Sequence, residues 1–169
     1  HEYIEIVKNA DVLRVGLQNN VSISGNAKLK LVITTGYLTG YTINGASRIS
    51  LKDTLRANQV AINLTGASKM DGAMILQNLS VDLREASLLE ITGETSDLNL
   101  TASGASRMSG YAFGCLDLDA DLSGASEAEL TVNGKININA SGASILRYKG
   151  NAIIESQNLT GASTITKTD

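Results

Sequence analysis

Three aspartates at alternate positions, Asp117, Asp119 and Asp121, are the densest group in the chain that could do chemistry. On one strand they would project to the same side, and Asp97 stands one repeat earlier. Carboxylates so placed suit a hard cation such as Ca²⁺, with Asp97, Asp117 and Asp119 as candidate ligands. Against this, their spacing is wider than a compact loop site, and the Gly-Gly-x-Gly-x-Asp nonapeptide of calcium-binding β-rolls is absent. Two carboxyl groups facing each other across a cleft would instead fit glycoside hydrolysis. Short corners leave no walls for such a cleft. A solvated acidic face, repelling side-by-side contact, needs neither chemistry. No other cofactor is expected.

Other reactive groups are sparse. No Gly-x-Ser-x-Gly elbow occurs, and no histidine inside the chain is available to activate a serine. The one histidine, His1, opens the chain and reads as a processing remnant or expression scar. A single cysteine, Cys115, cannot form an internal disulfide. These counts argue against a nucleophilic enzyme.

A repeat must position these side chains. Gly-Ala-Ser occurs at Gly45–Ser47, Gly66–Ser68, Gly104–Ser106, Gly124–Ser126, Gly142–Ser144 and Gly161–Ser163, with a degenerate Glu85-Ala86-Ser87 and a candidate eighth copy at Gly25-Asn26-Ala27. First positions from 25 to 161 differ by 20, 21, 19, 19, 20, 18 and 19 residues. So short and steady a period signals a solenoid in which no rung buries its apolar side alone. Two residues before each first position stand Ile43, Leu64, Leu83, Ala102, Leu122, Ala140 and Leu159. Four before stand Tyr41, Ile62, Val81, Leu100, Ala120, Ile138 and Gln157, and four after stand Ile49, Met70, Leu89, Met108, Ala128, Leu146 and Ile165. That alternation is the strand period. The reading is an all-β, single-stranded, right-handed parallel β-helix, the hand following the usual crossover rule.

In this frame each Gly supplies the left-handed corner, Ala is expected to point inward, and Ser to hydrogen-bond a backbone group freed at the corner. Gly45, Ser47, Gly66, Ser68, Gly104, Ser106, Gly124, Ser126, Gly142, Ser144, Gly161 and Ser163 are therefore structural. Asn-x-Ser/Thr matches such as Asn63-Leu64-Thr65 arise from the same pattern and carry no weight as glycosylation signals. The whole chain, 1–169, reads as one domain. Residues 1–24 form an irregular cap coil and 25–169 the repeat coils. The last coil has little cover, so its edge invites pairing with another chain, either a neighbour or a short self-cover.

Outward positions are free of the core's demands. With coils about 4.8 Å apart, Asp97 lies beside Asp117 and Lys135 is placed to offset Asp117. Candidate ligand contacts are Asn99, Asp117, Asp119, Asp121 and Asn137. Tyr111 with Phe113, or Tyr37 with Tyr41, could supply an aromatic platform for sugar, or simply pack in the core.

The net charge of −3 with scattered basic residues excludes a concentrated phosphate-binding footprint. No apolar run approaches the roughly 18 residues of a membrane span. No secretion signal is legible, so any such signal is expected to have been removed.

The run Leu29-Lys-Leu-Val-Ile-Thr-Thr-Gly-Tyr-Leu-Thr-Gly-Tyr-Thr-Ile-Asn-Gly-Ala-Ser47, followed by repeated strand-(Thr/Ser)-Gly-Ala-Ser units, resembles the GIN-domain family over about residues 20–169. That family is described as the head domain of auto-transporter adhesins, mainly of Gram-negative bacteria. The resemblance implies a right-handed parallel β-helix, export to the outer-membrane surface or periplasm, and an adhesive role, with no catalytic residues to carry over. The chain departs from the pattern at Glu85, where a wider corner is expected. Residues 1–24 are expected to be only part of the family's N-terminal region.

Taken together, the sequence points to a non-enzymatic surface adhesin or binding module with glycans, host extracellular matrix or envelope proteins as partners. A self-associating envelope scaffold, pairing through its coil ends, and a carbohydrate-active lyase or hydrolase are the alternatives.

Overall fold

The structure, a computed structural model, describes residues 3–18, 21, 30–36 and 38–169. The candidate triplet Gly25-Asn26-Ala27, His1 and Tyr37 lie outside the described residues. The chain divides into two compact units, His1–Thr34 and Thr35–Asp169.

In the first unit, β1 (Ile4–Asn9) and β2 (Val12–Leu17) pair antiparallel, with Ile4 opposite Leu17 and Ile6 opposite Val15. This is a hairpin, where an irregular first coil was expected. Its turn is Ala10-Asp11, with Ala10 at φ 48°. No Asn-Gly or Asp-Gly announces that turn, which is why strand patterning alone did not give the antiparallel pairing.

The second unit is the solenoid. Its strands are β3 (Gly40–Ile43), β4 (Arg48–Ser50), β5 (Leu55–Leu64), β6 (Lys69–Leu83), β7 (Leu88–Ala102), β8 (Arg107–Met108), β9 (Phe113–Leu122), β10 (Glu127–Val132), β11 (Lys135–Ala140), β12 (Ile145–Lys149), β13 (Ile153–Leu159) and β14 (Thr164–Lys167). Every pairing in this unit is parallel. About seven turns stack in this way. No helix among the described residues is long and apolar enough to cross a membrane.

The register is the one the repeat implies. Strand segments ahead of the corners align β3, β5, β6, β7, β9, β11 and β13, and segments after them align β4, β6, β7, β8, β10, β12 and β14. The core is a set of apolar columns. Ile62, Val81, Leu100, Ala120 and Ile138 form one, and Met70, Leu89, Met108, Ala128 and Leu146 another, all buried. Stacking like on like lets each rung close over the last, which no single rung achieves alone.

The corners hold the main correction. Their glycines sit at φ between 72° and 76°, the left-handed conformation that glycine adopts without Cβ strain. The alanine that follows is exposed at every triplet, whereas Ser68, Ser87, Ser106, Ser126 and Ser144 are buried. The inward residue is therefore serine and not alanine. The strand parity that puts offsets minus four, minus two and plus four inside runs on through plus two, where serine stands. A hydroxyl is wanted there because a corner carbonyl has a lone pair to fill. Ser106 Oγ donates to Leu83 O at 3.3 Å, Ser126 Oγ to Ala102 O at 3.3 Å and Ser144 Oγ to Leu122 O at 3.4 Å. Those carbonyls also accept the backbone N–H groups of Ser103, Ser123 and Ser141.

Glycine meets a second demand. A Cβ on Gly124 would lie 2.7 Å from Gly104 O, and one on Gly104 would lie 2.6 Å from Glu85 O. From Gly66 onward the glycine corners thus stack too closely on the corner beneath to admit a Cβ without a shift. Glu85 keeps the left-handed turn at φ 63°. There Ala86 N stands 3.1 Å from Gly66 O, against 2.6–2.7 Å at the four corners that follow. This is the wider corner expected where glycine is lost.

Candidate functional site

The outer face of the strands before the corners carries the polar residues singled out in the sequence. Asp97 pairs in register with Asp117, Asn99 with Asp119, and Thr101 with Asp121. On the other side Asn137 lies against Asp119 and Asn139 against Asp121. Inward neighbours Leu98, Leu118 and Ile136 are buried, so alternation turns these polar groups outward.

The face is knitted laterally. Asn137 Nδ2 donates to Asp119 Oδ1 at 2.9 Å, and Asn139 Nδ2 to Asp121 Oδ1 at 3.0 Å. Ser156 Oγ donates to Asn137 Oδ1 at 2.8 Å, extending one row across three coils. Amide donors thus relieve the aspartate repulsion on this strand. At Asp117 the relief comes from a peptide group, with Lys135 N donating to Oδ1 at 2.9 Å. The Lys135 ammonium instead bonds Glu155 Oε1 at 2.9 Å. Glu155, and secondarily the charge of Asp117, raise the Lys135 pKa above its ordinary value.

The proposed calcium ligands fall into a row. Asp97 and Asp117 are side by side and Asp119 stands two residues along. Among the described residues no three His, Cys, Asp or Glu side chains converge on a point that could hold a metal ion. Of the candidate platform aromatics, Tyr37 lies outside the described residues. Phe113 and Tyr41 are buried in the core, and the Tyr111 ring lies 5.2 Å beneath the Lys149 ammonium. Cys115, on β9 with the three aspartates, is buried. Burial, with the charges of Asp117 and Asp97 adding to it, pushes its thiol up to about 12, so it stays protonated and unreactive.

A second charged face follows the corners, which reading by columns of single residues missed. Arg48 pairs with Asp71, Lys69 with Glu90, Arg107 and Arg147 with Glu127, and Arg147 reaches Glu129. The signal was present: offset plus three carries Arg48, Lys69 and Arg107, and offset plus five carries Asp71, Glu90 and Glu129, opposite charges two residues apart on one face. Leu88 interrupts this ladder. Beside it a shallow open depression is lined by Ser87, Glu90, Arg107 and Ser109.

The same solenoid is found in solved structures. One described as a "putative adhesin" from Bacteroides fragilis matches with TM-score 0.85 at 17% identity, covering 99% of this chain and 77% of that one. A "putative lipid binding protein" from Parabacteroides distasonis matches with TM-score 0.71 at 16% identity, over 99% of this chain and 80% of that one. A "putative adhesin" from Parabacteroides merdae matches with TM-score 0.62 at 16% identity, over 100% of this chain and 79% of that one. At such identities the likeness shows the fold. No curated protein matches the sequence. A family model described as "Putative auto-transporter adhesin, head GIN domain" matches residues 1–152, nearly the whole chain. The Gly-Ala-Ser corners, the parallel coils and this match agree: the chain belongs to the GIN-domain family.

Proposed function

We propose that this protein is a non-enzymatic binding module, exported to the cell envelope, whose ligand contacts are Asn99, Asp117, Asp119, Asp121 and Asn137. The observation that carries the reading is the row of outward polar groups locked by Asn137–Asp119 and Asn139–Asp121 hydrogen bonds on a continuous ladder. Side chains already held in place lose little freedom when a ligand docks, which favours binding by a flat surface. The family's description and two of the structural neighbours' names speak of adhesins, which supports an envelope location and an adhesive use. Buried triplet serines and a protonated, buried thiol speak against nucleophilic catalysis.

The test is a glycan and extracellular-matrix array with the purified chain, run with and without Ca²⁺. Specific binding lost in Asp119→Lys/Asp121→Lys, with folding intact, supports the reading. Binding that survives the double variant sinks it.

A further inference from the structure

A strained residue, a lengthened corner bond and an unmet hydroxyl coincide at one corner. Glu85 holds the left-handed conformation at φ 63°, where the six corner glycines sit at 72–76°. A residue with a Cβ is strained there. The Ala86 N–H reaches Gly66 O at 3.1 Å, while Ala105 N reaches Glu85 O at 2.6 Å. Ser87 Oγ, like Ser68 Oγ at the corner before it, is buried with no hydrogen-bond partner, whereas Ser106, Ser126, Ser144 and Ser163 each donate to a carbonyl of the preceding coil. Arg84 adds nothing across this seam, since its guanidinium pairs with Asp82 of its own coil.

The strands flanking this corner are intact. Arg84 N donates to Leu64 O at 3.0 Å and Leu88 N to Ser68 O at 2.9 Å. Beyond them the coil stays paired with the one beneath it, β6 with β5 from Asn78–Gln59 to Leu83–Leu64 and β7 with β6 from Leu88–Lys69 to Glu94–Ile75. Strain, a longer bond and an unmet hydroxyl are therefore confined between two anchored amides.

We infer that the Glu85–Ser87 corner is a built-in opening point of the solenoid: it swings off the coil beneath it while the strands on either side stay paired. Opening relieves the left-handed strain at Glu85 and lets water reach the Ser87 hydroxyl. Neither gain is available at the corners that follow, where glycine is unstrained and serine is bonded. Local openings of this kind lie at the low end of the stability range within a fold.

Native-state amide hydrogen exchange on the full chain tests the inference. The Ala86 amide is expected to be less protected than those of Ala105, Ala125 and Ala143 by roughly five- to thirty-fold. Glu85→Gly should raise Ala86 protection to that of Ala105 and leave Arg84 and Leu88 unchanged. Equal protection of Ala86 and Ala105 in the parent chain would overturn it, as would a Glu85→Gly variant with no change at Ala86. Arg84 and Leu88 exchanging in step with Ala86 would also overturn it, since the whole coil would then be the opening unit.

Discussion

The corners at Gly104, Gly124, Gly142 and Gly161 and those at Gly45, Gly66 and Glu85 come from nearly one tripeptide, yet they are held differently. In the later group each serine hydroxyl bonds the coil before it, and each alanine N–H bonds the corner beneath at 2.6–2.7 Å. In the earlier group Ser68 and Ser87 are buried without partners, Ser47 is exposed, and Ala67 N makes no bond to Gly45. The 45–66 seam keeps the flanking backbone bonds, Thr65 N to Ile43 O at 3.0 Å and Lys69 N to Ser47 O at 2.9 Å, and adds side-chain ties. Thr65 Oγ1 donates to Asn44 Oδ1 at 2.7 Å, and Arg48 and Ser50 both bond Asp71. A corner motif thus specifies a turn, while how tightly coils lock depends on whether stacked corners can approach. Glu85 shows the limit: its Cβ must clear the Gly66 carbonyl, and the stack widens there.

Substitutions can break this contrast, and the largest effect falls on glycine. Gly124→Ala should destabilise by about 3–4 kcal/mol, combining left-handed strain with a methyl driven against backbone. At Gly45, where an added Cβ would meet nothing within 4 Å, alanine should lose only the strain, about 1–2 kcal/mol. Equal losses in urea unfolding would mean that conformation alone, and not stacking, demands the glycine. Serine comes next. Ser126→Ala should lose about 1 kcal/mol with its hydrogen bond, while Ser87→Ala should be neutral or slightly stabilising. A loss at Ser87 matching that at Ser126 would show that its hydroxyl is satisfied in solution.

The smallest effect is electrostatic and belongs to the earlier coils. Burial alone would raise the Asp71 pKa, but hydrogen bonds from Arg48 and Ser50 and the charges of Arg48 and Lys69 outweigh it and hold the carboxyl below its usual value. A depressed folded-state pKa gives stability that is present above the ordinary aspartate value of about 3.9 and lost as pH falls through the lowered one. Unfolding midpoints should therefore fall below about pH 4, and Asp71→Asn should flatten part of that fall. Partial exposure of the pair keeps the change small. An unchanged acid slope in Asp71→Asn would locate the sensitivity elsewhere.

Much of this was legible in the sequence. Spacing of the triplets gave the coil count and register, including Asp97 against Asp117, because parallel coils of near-constant length align like positions. The outward aspartates and asparagines were legible for the same reason. Serine's inward orientation was also present, as a parity that had to be carried through the glycine. The partners of those side chains were not. Lys135 has two groups able to bond Asp117, and only the path of the backbone selects its peptide N–H over its ammonium. The hairpin at Ile4–Leu17 turns on an Ala-Asp pair with no turn signal, so local pattern could not separate it from a coil.

By itself, then, the sequence determined the architecture. A tripeptide repeated at near-constant spacing, with apolar residues at even offsets, leaves few folds in which every rung is covered. Only the tertiary structure decided how firmly each corner is held and which outward groups are locked together. Those outcomes depend on tenths of an ångström between stacked carbonyls, amides and hydroxyls, distances set by the coils above and below and not by any one repeat.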